Sequence, residues 1–82
     1  MDRISKIEIA AKLFNADVTV LEGCATDIEN LNAVYISEKS KGGRSIIVAD
    51  DGSVLYADSS IPPQEHIKAF IDGIRTPLDV FE

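Results

Sequence analysis

Two strand-forming runs, Ser45-Ile46-Ile47-Val48-Ala49 and Ser53-Val54-Leu55-Tyr56-Ala57, stand on either side of Asp50-Asp51-Gly52. Asp-Gly supplies the positive-φ backbone that a tight hairpin turn requires, so this stretch is predicted to be two antiparallel strands. A chain of 82 residues has room for one hydrophobic core, and every other element must pack on that hairpin. Residues 1–82 are therefore read as a single small domain.

Upstream, Ser5-Lys6-Ile7-Glu8 matches the capping box, with Ile4 and Ile9 at the staple positions, which predicts a helix starting at Ser5. Ile4, Ile7, Ala11 and Phe14 recur on one helical face and Ser5, Glu8 and Lys12 on another, and Asn15-Ala16-Asp17 ends the pattern. The β-branched Val18-Thr19-Val20-Leu21 predicts a short strand stopped by Glu22-Gly23. Cys24 to Asn32 predicts a loop or one helical turn, because too few residues follow the capping pattern Thr26-Asp27-Ile28-Glu29 to sustain a helix. Ala33-Val34-Tyr35-Ile36-Ser37 predicts another strand, and Glu38 to Arg44 a polar, glycine-bearing connection.

After the hairpin, Pro62-Pro63 favours extended backbone and then a helix with Pro63 in its first turn. Ile67, Phe70, Ile71 and Ile74 form its expected apolar stripe, and Gly73 and Thr76-Pro77 its end. The resulting order is α-β-β-β-β-α: an α+β fold with a largely antiparallel four-stranded sheet and two helices on one face. Leu78, Val80 and Phe81 make an apolar tail expected to dock on the domain or on a second copy.

The chain is 45% apolar and 27% charged, a globular balance far from that of a disordered segment. Its formal charge is −6, unevenly distributed. Between Leu13 and Glu38 lie Asp17, Glu22, Asp27, Glu29 and Glu38 without one Lys or Arg, and between Ser45 and Ile67 lie Asp50, Asp51, Asp58 and Glu65, again without one. Such a surface repels a phosphate backbone, which argues against nucleic acid as a ligand, and it steers encounters with a basic protein. Asp17, Glu22, Asp27 and Glu29 are the expected partner-facing patch, with Tyr35 expected to present its ring at the same kind of surface. No apolar run is long enough to span a bilayer, so no membrane partner is expected. The lone Cys24 allows no internal disulfide, which fits a reducing cytoplasmic location.

Cys24 and His66, the single thiol and the single imidazole, would have to meet for cysteine–histidine nucleophilic catalysis, and neither lies in a catalytic signature. Ordinary packing is favoured for both. Asp50-Asp51-Gly52 lacks the downstream oxygen donors of a calcium loop, having Val54, Leu55 and Tyr56 there, and one Cys with one His does not make a closed zinc site. No metal or cofactor is expected. Lys39, Lys41 and Arg44 surround Gly42-Gly43 without the spacing of a phosphate-binding loop, and Ser59-Ser60 lacks a nucleophile elbow.

The segment Gly42 to Val54, followed by Ser59-Ser60 and the helix start Pro63-Gln64-Glu65, resembles small bacterial immunity proteins of polymorphic toxin systems. The likeness covers the second half of the chain, and of that family's aromatic strand residues only Tyr35 has a counterpart. The resemblance implies a non-enzymatic protein that binds and neutralises a toxin, and acidity suits a basic one. The alternatives are a self-associating structural or regulatory homodimer and a small enzyme using Cys24 or His66.

Overall fold

The computed structural model describes residues 1–38, 43–58 and 60–81. Helix α1 spans Arg3–Phe14, α2 Val18–Glu22 and α3 Pro63–Ile71; the strands are β1 Ala25–Ile28, β2 Ala33–Ser37, β3 Ser45–Val48 and β4 Val54–Ala57. Short 3-10 turns occupy Glu29–Leu31 and Leu78–Phe81. The strands form one antiparallel sheet in the order β1-β2-β3-β4. The expected α+β class and four-stranded antiparallel sheet are thus observed, with α2 added between the first helix and the first strand.

The hairpin forms as its turn chemistry requires. The Ala49 N–H donates to the Ser53 carbonyl at 2.8 Å, and the Gly52 N–H donates back to the Ala49 carbonyl at 3.0 Å. Gly52 has φ +89°, where an L side chain is strained, and the Asp51 carboxylate accepts from the Ser53 N–H at 2.9 Å. Helix α3 starts with Pro63 in its first turn, as predicted. It ends where Gly73, at φ +88°, donates to the Phe70 carbonyl and Ile74 to the Ala69 carbonyl, a closing pair that consumes two orphan carbonyls.

Five expectations about single elements are corrected. The cap of α1 is Asp2, whose carboxylate accepts from the Ser5 N–H at 2.8 Å; Asp caps as well as Ser does, and the earlier cap lengthens the helix by most of a turn. The buried face of α1 is Lys6, Ile7, Ala10, Ala11 and Phe14, leaving Ile4 exposed. Val18–Leu21 is helical because Asp17 caps it through the Thr19 N–H at 2.8 Å and fully buried Leu21 joins the α1 core, so a local cap and tertiary burial override β propensity. The first strand is instead Ala25–Ile28, in the stretch expected to be a loop or turn; polar Thr26 and Asp27 hid it. In α3 the buried residues are His66 and Phe70, while Ile71 and Ile74 are exposed.

The two main helices also lie on opposite faces of the sheet, not on one. Register aligns Val34, Val48 and Val54, and next to them Ile36, Ile46 and Tyr56, on the face packed against α1 and α2. Tyr35, Ile47 and Leu55 point the other way and pack with Phe70 and Ile67 of α3. The reason is in β3: Ser45, Ile46, Ile47 and Val48 are all buried, so the run is apolar on both sides and needs cover on both.

Candidate functional site

The two outer strands end their pairing differently. On β4, the Thr76 N–H donates to the Val54 carbonyl at 2.8 Å and the Thr76 hydroxyl accepts from the Tyr56 N–H at 2.8 Å. The segment following α3 therefore occupies this edge. The tail beyond it turns through Leu78–Phe81, where half-solvated Val80 borders a cleft of about 340 Å³ with Leu13, Phe14, Arg44 and Tyr56. The tail thus meets the domain at Val80, although that side chain stays 62% exposed.

On β1 the geometry is the reverse. The Ser37 N–H donates to the Cys24 carbonyl at 3.4 Å, and antiparallel pairs alternate, so Thr26 and Ile28 turn their backbone groups toward β2 while Ala25 and Asp27 turn theirs outward. Only the Arg3 side chain touches this outward row among the described residues: its guanidinium reaches the Ala25 carbonyl at 3.5 Å and the Asp27 carboxylate at 2.9 Å. Next to it lies a cleft of about 220 Å³ lined by Arg3, Lys6, Asp27, Glu29 and Asn32 among others.

Lys6 is 6% exposed and its ammonium donates to the Asn32 carbonyl at 2.6 Å, with Asp50 at 3.5 Å. Asp50 also takes the Met1 ammonium at 3.0 Å, which holds its pKa below the usual 3.8. Both cations at the cleft are thus already engaged, whereas Glu29 has no ion pair among the described residues. Arg3 and Lys6 were not singled out in the sequence, because Ala25-Thr26-Asp27-Ile28, with its two polar residues side by side, lacks the alternation that would mark a strand beside the first helix.

The acidic residues expected to act together play separate parts. Asp17 is a helix cap, Asp27 is the ion-pair partner of Arg3, and Glu22 and Glu29 are exposed. Asp27 and Glu29 share the cleft; Asp17 caps α2 and Glu22 is its last residue. Tyr35 is half-buried, its ring edge-on to His66 at 5.6 Å and its hydroxyl 3.4 Å from the Ser45 hydroxyl, so most of it serves the α3 side of the core.

Cys24 and His66 are not brought together. Cys24 packs against the α1 cluster, while His66 is 2% exposed on the opposite face, where its Nε2 lies 2.7 Å from the Leu55 carbonyl. With Nε2 as donor, Nδ1 is buried without a partner, and burial pushes the imidazole pKa below 6.5.

Arg44 is committed as well. Its guanidinium makes three contacts of 2.9–3.1 Å with buried Glu38 and lies 4.5 Å from the centre of the Phe14 ring. Lys39, Lys41 and Gly42 of the same cluster, and Ser59, lie outside the described residues. Ser60 donates to the Asp58 carboxylate through both its N–H (3.0 Å) and its hydroxyl (2.5 Å), a local turn that lowers the Asp58 pKa. Asp50 and Asp51 are separately engaged, and among the described residues no three His, Cys, Asp or Glu converge on a metal-sized space. No helix among them is long and apolar enough to cross a membrane.

No protein-family model, curated protein or solved structure matches this chain.

Proposed function

We propose that this domain is a non-enzymatic binding protein for a basic protein partner, of the toxin-neutralising kind that the immunity-protein resemblance implies. The observation that carries the reading is the pairing of the β1 edge, whose outward row meets no strand among the described residues, with the carboxylates Asp27 and Glu29 in the cleft beside it. Main-chain hydrogen bonds give such an edge affinity, and the acidic flank selects for positive charge. The separation of Cys24 from His66 across the sheet supports binding over cysteine–histidine catalysis.

The test is capture with the tagged protein from lysate of its own source, followed by purification of the retained protein and assay of its activity. A stoichiometric basic protein whose activity falls to background at a 1:1 ratio is the expected result. Recovery of the chain alone as a defined oligomer would overturn the reading in favour of a self-associating protein.

A further inference from the structure

We infer that the partner docks by adding an extended, basic strand to the outer edge of β1, with Arg3 as the residue that must yield. This rests on the protein-binding reading above and names its surface and chemistry. The outward row consists of the N–H and C=O of Ala25 and of Asp27, since Thr26 and Ile28 are turned to β2. A strand laid antiparallel there hydrogen-bonds to these groups without disturbing the existing sheet. The Arg3 guanidinium holds the Ala25 carbonyl only at 3.5 Å, and Arg3 and Asp27 are 38% and 49% exposed at their side chains, so the guard is a loose one.

Charge selects the occupant. The side chain of Asp27 lies on the α1 face of the new strand, and Glu29 stands just beyond it in the 220 Å³ cleft. A Lys or Arg of the incoming strand on that face displaces Arg3 from Asp27 and reaches Glu29. A second copy of this chain is disfavoured as occupant, because β1 paired with β1 brings the Asp27 and Glu29 of both copies into adjacent positions on two chains that each carry −6. The opposite edge is closed to the same mode by Thr76.

The probe is a synthetic peptide of alternating Lys and Val, with a Glu-Val peptide as control, titrated into the full chain while amide hydrogen exchange is followed by NMR. The Lys-Val peptide is expected to slow exchange at Ala25 and Asp27 by about tenfold or more at saturation, the Glu-Val peptide to leave both unchanged. Asp27→Pro removes an outward N–H and leaves the β2 ladder intact, since Pro is tolerated at a strand edge, and it should abolish binding. Arg3→Ala frees the Ala25 carbonyl and should tighten binding about threefold or more, which gives a gain-of-binding readout if Asp27→Pro folds poorly.

Protection that appears elsewhere, with binding of the Lys-Val peptide retained, overturns the edge and leaves the binding reading intact. Absence of any binding overturns the edge inference, while the capture assay decides the broader reading independently. Slowed exchange at Asp27 that rises with protein concentration alone overturns it in favour of a second copy.

Discussion

The two edges of the sheet are built from strands of equal length, yet one is finished and the other is not. The β4 edge is closed by a residue of the chain itself, Thr76, through its amide and its hydroxyl. Among the described residues, the β1 edge is met only by the long, partly exposed Arg3 side chain. An unpaired edge invites pairing with another chain, and proteins blunt such edges with charge, short length or cover. This chain uses cover at β4, and short length with an ion pair at β1. A cover anchored by the chain's own backbone is harder to displace than a side-chain guard, and the proposed binding mode places the partner on the guarded side.

Several changes break or sharpen this contrast. The largest effect is expected on the closed side, where α3 is held to β4 by neutral His66. The folded-state pKa of His66 lies below 6.5, so its contribution is complete above that value and is lost as pH falls through the lower folded value. Among the described residues no charged side chain bonds to the ring: its partners are the Leu55 carbonyl on β4 and the Tyr35 ring on β2, while Glu65 and Lys68 of α3 itself are exposed. Urea midpoints should drop between pH 7 and pH 5, and His66→Gln should flatten that dependence. The lowered carboxyls of Asp2, Asp50, Asp51 and Asp58 lose their contributions only below their ordinary 3.8, so the two windows are separate.

Next in size, Thr76→Ala removes the hydroxyl that accepts from the Tyr56 N–H and should cost about 0.5–1.5 kcal/mol in chemical denaturation. Because it also thins the cover of β4, while the amide of residue 76 keeps its bond to the Val54 carbonyl, sedimentation should reveal weak concentration-dependent association absent from the parent chain. Asp17→Ala removes the cap of α2 and is expected to cost about 1 kcal/mol, with no effect on partner binding. That pairing of outcomes separates a structural carboxylate from those at the edge. The smallest stability change is expected for Arg3→Ala, about 0–1 kcal/mol because the pair is exposed. In contrast, reversing the charge of both Asp27 and Glu29 should slow association with a basic partner several-fold at low salt, and high salt should erase the difference.

Much of the closed side was legible in the sequence. Asp50-Asp51-Gly52, Pro63 and Gly73 act through backbone geometry that few residues satisfy, so their positions fix turn and helix ends locally. The open side was not legible for the opposite reason. Thr26 and Asp27 gain strand geometry from pairing with Tyr35 and Val34, and Val18-Thr19-Val20 lose it because Asp17 caps a helix there and Leu21 is needed in the α1 core. The count of four strands was right although one strand was placed seven residues too early, at Val18 in place of Ala25. The placement of helices on both faces was written in Ile46-Ile47-Val48, an unbroken apolar run that a one-sided sheet does not need. Asp27 stood out in the sequence by its charge, but only the fold shows that its backbone faces outward.

The most direct test of the account is the exchange rate of single amides in the free protein. The Ala25 and Asp27 amides should exchange nearly as fast as an unstructured chain, while those of Thr26, Ile28 and Tyr56 are slower by at least about tenfold. Ala25 and Asp27 protected as strongly as Tyr56 would mean that the β1 edge is already covered, and the contrast between the two edges would fall.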